Sequence, residues 1–174
     1  MIKLVGSEFF IHATNGQLLL LAAQKGFKLK EEIDIFTDQG KTNCIMHIRA
    51  RQIMDIQAAY DVTDAKTGQR IAVFKRKGWK SILRDEWEVC GPNEEPYGIM
   101  LEDSMLLAMV RRFVAAIVPQ NYDLNVGGTR VVDFRQNFNP FSYHLNIIIE
   151  GQIDPRIAVS GAVLLAAIEG RQSG

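Results

Sequence analysis

Asp154-Pro155-Arg156-Ile157-Ala158-Val159-Ser160-Gly161-Ala162-Val163-Leu164-Leu165-Ala166-Ala167-Ile168-Glu169-Gly170 is the stretch on which the fold turns. It reads as one buried helix. Asp154 can cap its N-terminus, Pro155 suits the first helical position because the missing N–H has no intrahelical partner there, and Gly170 can end it in a left-handed conformation. Between Ile157 and Ile168 only Ser160 is neither apolar nor glycine, so at about 100° per residue no polar face is left for water. Such a helix must be enclosed. The run is shorter than the roughly 17–25 residues needed to cross a bilayer, so the expected enclosure is protein rather than lipid, with no transmembrane segment. Burying Ile157, Val159, Val163, Leu164, Leu165 and Ile168 supplies at most roughly 9–18 kcal/mol before ordering entropy is subtracted.

Upstream, to about Glu95, short alternating apolar segments are separated by turn residues, which is the pattern of β-strands. Glu8 to His12 and Gln17 to Ala23 flank Asn15-Gly16, the strongest hairpin signal in the chain. Glu32 to Phe36 follows, then Asn43 to Arg51 with Cys44, Met46, Ile48 and Ala50 on one face and Ile45 out of pattern. Ile53 to Thr63, Arg70 to Lys77 and Asp85 to Cys90 continue the series, with a loop at Asp64 to Gly68 and a break at Gly91-Pro92-Asn93. Tyr97 to Leu101 suits one more strand. Asp103 to Val118 reads as a helix of about three turns, passing into a strand near Phe113, and Pro119 ends it. Val131 to Gln136 and Tyr143 to Glu150 return to alternation, and Gly127-Gly128 reads as a turn.

About ten to twelve strands at this spacing predict a closed antiparallel barrel or a sandwich. The apolar helix decides between them, because a sandwich interior about 10 Å thick has no room for it whereas a wide barrel needs its lumen filled. The expectation is therefore a mainly β (α+β) chain, a closed antiparallel barrel of about twelve strands around a central hydrophobic C-terminal helix, forming a single domain over residues 1–174.

Composition narrows the function classes. The 20 basic and 20 acidic residues cancel, so no global field steers the chain to nucleic acid, and none is expected as a partner. Cys44 and Cys90 are too few for a disulfide framework, and the N-terminus lacks a basic-then-apolar leader, which predicts a cytoplasmic location.

The chain carries Ala50-Arg51-Gln52, Tyr60-Asp61-Val62 with Gly68, Lys75-Arg76-Lys77-Gly78, Ser81 to Trp87, Glu102-Asp103-Ser104, Arg111-Arg112-Phe113, Pro119 to Tyr122, Phe138 to Phe141 and Ile168 to Gln172. Together these motifs resemble the LURP-one-related family of the Tubby C-terminal-like superfamily, which also includes the phospholipid scramblases. The resemblance spans about Phe9 to Gln172. It implies the barrel around a central helix. For function it implies little, because LURP-one-related proteins have no established biochemical activity, Tubby domains bind phosphoinositide headgroups through a basic pocket, and scramblases are calcium-responsive membrane proteins. This chain departs from the scramblases in lacking a proline-rich N-terminal segment, a cysteine cluster for acylation and a hydrophobic tail beyond Gln172, so scrambling is not expected.

The leading candidate site is Lys75, Arg76, Lys77 and Lys80 with Arg84, where cations around Gly78 could cradle the phosphate of an anionic lipid headgroup and Trp79 could sit at the interface. The competing expectation is that alternation sends at least one of Lys75, Arg76 and Lys77 to the opposite face and leaves a solvated rim paired with Asp85 or Glu86. Arg111 and Arg112, in an apolar run, are expected to pair with a barrel carboxylate. Lys25, Lys28 and Lys30 precede Glu31, Glu32 and Asp34 and should be screened by them. Cys44 and His47 resemble half a metal motif, but alternation points them to opposite faces and no second pair follows, so no metal and no cofactor are expected. His12 and His144 have no local ligand partner, Glu94-Glu95 reads as an exposed loop, and nothing local supports a nucleophile with its base. The sequence thus predicts a non-enzymatic binding module for anionic phospholipid headgroups or, alternatively, a protein-interaction scaffold with no lipid ligand.

Overall fold

The computed structural model describes residues 1–5, 8–25, 32–51, 58–77, 86–103, 121–137 and 144–169. These contain twelve strands and one helix: β1 Ile2–Val5, β2 Glu8–His12, β3 Leu18–Lys25, β4 Glu32–Phe36, β5 Cys44–Ala50, β6 Ala59–Asp64, β7 Arg70–Arg76, β8 Glu86–Cys90, β9 Pro96–Glu102, β10 Asn121–Val126, β11 Thr129–Gln136, β12 His144–Ile149 and α1 Pro155–Glu169. The chain is mainly β with one C-terminal helix. Its sheet is antiparallel throughout, each strand pairing with the next in sequence. In addition, β1 lies against β12 through Ile2 opposite Leu145 and Lys3 opposite His144.

The turns follow from their residues. Thr14, Asn15 and Gly16 form a three-residue hairpin loop, with Gly16 at φ +85° in the left-handed position that closes it. Gly127 and Gly128 both have positive φ, the requirement of the two-residue turn whose twist matches that of the flanking strands, and they join β10 to β11 where Val126 faces Thr129.

Alternation then sorts the side chains. Met46 and Ile48 of β5, Tyr60 and Val62 of β6, Trp87 and Val89 of β8, and Tyr122 and Leu124 of β10 all lie in one apolar core. The helix lies in the same core: Ala158, Ala162, Val163, Leu164, Leu165, Ala166 and Ala167 are fully buried, while Val159 and Ile168 are half-buried. Asp154 caps it as predicted, its Oδ1 accepting from the Arg156 N–H at 2.9 Å. The helix packs on β1, β7 and β12, and a Cβ built on Gly161 would lie 3.3 Å from Phe74, 3.5 Å from Phe134 and 3.6 Å from Met100, on β7, β11 and β9. Walls on several sides explain why no polar stripe is needed. Among the described residues no helix is long and apolar enough to cross a membrane.

Two strands had no clear sequence signal. In β1 the run from Ile2 to Val5 does not alternate, and in β10 Asn121, Asp123 and Asn125 hide the core residues Tyr122 and Leu124. The predicted helix at Asp103 to Val118 falls, from Ser104 onward, outside the described residues, as do Ile53 to Gln57 and Gly170.

Candidate functional site

The predicted basic site divides at the end of β7. Phe74 is fully buried, so Lys75 turns outward, Arg76 inward and Lys77 outward again. Lys75 holds Glu94 at 3.1 Å, and Lys77 holds Glu86 of the neighbouring strand. Both lysines have pKa values raised, first by the hydrogen bond to their carboxylate. The Arg76 guanidinium lies 5.6 Å from the centre of the buried Trp87 ring, a cation–π contact. The three cations therefore do not share one face, and the rim arrangement prevails at Lys77. Lys80 and Arg84, with Trp79, lie outside the described residues, as do Lys28, Lys30, Arg111 and Arg112.

Glu94, expected only as part of an exposed loop, is instead a hub. Its carboxylate meets Arg51 at 2.8 Å, Lys75 at 3.1 Å and Arg70 at 3.4 Å, and its pKa falls to about 2, chiefly through the hydrogen bond from Arg51. Its backbone adopts φ +66°, a conformation that costs a non-glycine residue about 1–3 kcal/mol. Loop Gly91 to Glu95 is thus fastened to β7 and to Arg51 just beyond β5, and Asp61 of β6 is joined to the same Arg51 and Arg70.

A denser cluster stands on the outer face of β3, β4 and β5. Asp34 sits directly across from His47 in the β4–β5 register, and its Oδ1 lies 2.7 Å from the ring Nδ1 and 2.7 Å from Arg49 Nη2; Lys25 Nζ reaches Oδ2 at 2.6 Å. These side chains bury the Asp34 carboxylate although it points away from the core. Burial by itself would raise the Asp34 pKa, but the hydrogen bonds from Lys25, His47 and Arg49 outweigh it and hold the carboxyl well below the usual range. Lys25 is screened by this chain's acids, as expected.

Cys44 corrects the sequence reading. It does not face away from His47: its Sγ lies 3.8 Å from His47 Nδ1. The reason is a β-bulge. Ile35 pairs with Met46 but Phe36 with Cys44, which leaves Ile45 as an extra residue and reverses the parity beyond it. The out-of-pattern Ile45 was the signal in the sequence. Cys44, His47 and Asp34 together offer one sulfur, one nitrogen and one oxygen, all within 4.8 Å of one another. Because Asp34 and Cys44 both approach the same ring nitrogen, the trio is not arranged as a nucleophile–base–acid relay, which needs one partner on each nitrogen. The Cys44 thiol is pushed up, first by burial and then by the Asp34 charge, which favours the protonated form.

Comparison of this chain with family models, with curated proteins and with solved structures finds no match, so the site is read from its geometry.

Proposed function

We propose that this chain is a non-enzymatic binding module of the Tubby C-terminal-like, LURP-one-related kind, a closed barrel around α1 that meets a protein partner through its outer surface. The observation that carries this reading is the fate of the cations: Lys25, Lys75, Lys77, Arg51, Arg70, Arg130 and Arg135 each hold a carboxylate of their own chain. Among the described residues this mosaic of satisfied pairs gives phosphate no concentrated field, whereas it suits the polar rim of a protein interface. Closure is supported by the pairing of β1 with both β2 and β12, and the absence of catalysis by an interior occupied by helix side chains. The two free cysteines accord with a cytoplasmic setting.

Anionic headgroup recognition is the second reading, supported by the three successive cations Lys75, Arg76 and Lys77 at one strand end, with Lys80 and Arg84 following in sequence. Here lipid must displace Glu86 and Glu94 from the lysines. Flotation with neutral or phosphoinositide-containing liposomes, at low and near-physiological salt, separates the readings, since salt removes weak surface attraction. The protein-partner reading expects no headgroup-selective binding at near-physiological salt. Selective binding that survives salt and is abolished by Lys75→Glu with Lys77→Glu would overturn it in favour of lipid. In that case Glu86→Gln with Glu94→Gln, which removes the two carboxylate charges that compete with phosphate for the lysines, should strengthen the binding.

A further inference from the structure

We propose that Asp34, Cys44 and His47 form a binding site for a thiophilic divalent transition metal such as Zn²⁺ or Co²⁺, held through Cys44 Sγ, His47 Nδ1 and Asp34 Oδ1. The three donors belong to two adjacent strands, β4 and β5, whose register fixes Asp34 against His47, and the bulge at Ile45 brings Cys44 to the same face. Sulfur, imidazole nitrogen and carboxylate oxygen form a donor set that suits zinc-like ions and not calcium or magnesium.

The spacing is close to what coordination needs. Metal bonds of about 2.3 Å to sulfur, 2.0–2.1 Å to nitrogen and 2.0–2.2 Å to oxygen place tetrahedral ligand atoms about 3.3–3.6 Å apart. Sulfur and nitrogen are 3.8 Å apart and nitrogen and oxygen 2.7 Å, so binding asks for shifts of well under 1 Å in those two separations. Three protein ligands leave the fourth position open to water or an exogenous ligand.

The position meanwhile attracts cationic groups of the chain itself. Arg49 Nη2 lies 2.7 Å from Asp34 Oδ1 and 3.2 Å from His47 Nδ1, the two atoms the metal would join. The guanidinium has a second carboxylate, Glu32, at 3.7 Å, and the Lys25 side chain is largely solvent-exposed, so both can yield Asp34. Binding forms a metal–sulfur bond and releases the Cys44 thiol proton to water; any proton on Nδ1 leaves with it. The two charges of the ion are then balanced by thiolate and carboxylate. Because the thiol must give up its proton to bind, occupancy should increase with pH.

The test is titration of the chelator-treated full chain with Co²⁺ at pH 8, read by absorption. The expected result is a near-ultraviolet thiolate-to-cobalt band with tetrahedral visible bands, saturating at one equivalent and displaced by Zn²⁺. The band should persist in Cys90→Ser, vanish in Cys44→Ala and His47→Ala, and saturate at lower Co²⁺ in Arg49→Gln, which removes the internal competitor. No thiolate band in the unmutated chain, or a band that survives Cys44→Ala, overturns the proposal. Should His47→Ala lose its cooperative melt, protection of Cys44 from iodoacetamide by Zn²⁺ in the unmutated chain decides, read by mass spectrometry; a thiol alkylated equally fast with and without Zn²⁺ refutes the site.

Discussion

Replacing Leu164 by alanine tests whether α1 is the centre of the core. Leu164 is fully buried, as are its neighbours Val163 and Leu165, so three carbons are removed from a site enclosed by sheet and helix alike. At about 0.8 kcal/mol per methylene the transfer loss is about 2.4 kcal/mol, and incomplete collapse of the cavity brings the total to about 3–4 kcal/mol. Leu19→Ala is the internal control: it deletes the same atoms from a side chain on β3 that is 47% exposed, and should cost under about 1 kcal/mol. Urea denaturation followed by far-ultraviolet circular dichroism and by tryptophan fluorescence measures both, provided the two probes coincide. Thermal melts should show Leu164→Ala lowered by roughly 6–16 °C, at about 2–4 °C per kcal/mol for a chain of this size. Equal costs for the two substitutions, or a cost below about 1 kcal/mol for Leu164→Ala, would refute the enclosed helix.

Ending the chain at Asp154 removes α1 and leaves the apolar inner faces of the strands without their filling; the truncated protein should show no cooperative denaturant transition, and a two-state transition would contradict this. Gly98→Ala should destabilise by about 1–3 kcal/mol, because the new Cβ would lie 2.7 Å from the backbone oxygen of Asn125 and must push β9 from β10; an unchanged melting temperature would refute that close approach. Asp34 has a folded-state pKa below its unfolded value of about 3.9, so its contribution is present above about pH 4 and is lost as pH falls toward the folded value. Asp34→Asn should lower stability at pH 7, where it leaves Lys25 and Arg49 without their shared carboxylate, and should flatten the decline below pH 4; urea midpoints across pH 2–7 read both, and an unaltered acid limb would discount the pairing.

The sites were less legible than the fold. Arg76, alternating inward to lie over Trp87, and Lys77, pairing across the ladder with Glu86, both follow from strand parity, and the sequence carried that alternative. Glu94 was not legible as a hub, because its partners are distant in sequence: Arg70 and Lys75 stand on β7 and Arg51 just beyond the end of β5. The Cys44–His47 approach was misread for a local reason: a single inserted residue, Ile45, inverts the face of everything beyond it, and alternation counted along one strand cannot show which residue its partner strand skips.

What the sequence determined by itself is whatever depends on neighbours along the chain. A helix with no polar stripe has to be surrounded, Asp154 and Pro155 have to start it, and period-two segments between turn residues have to become strands with one face in a core. Turns at Gly16 and at Gly127-Gly128 belong to the same class, since a left-handed backbone is adopted at least cost by glycine. Only the tertiary structure decided which charges meet. Register sets Asp34 against His47, sheet order brings Glu94 within reach of Arg51, and both are long-range choices made by the packing of the sheet against α1. Charges separated by tens of residues leave no periodic trace in the sequence, because their pairing is enforced by the apolar faces beneath them and not by the charged residues themselves.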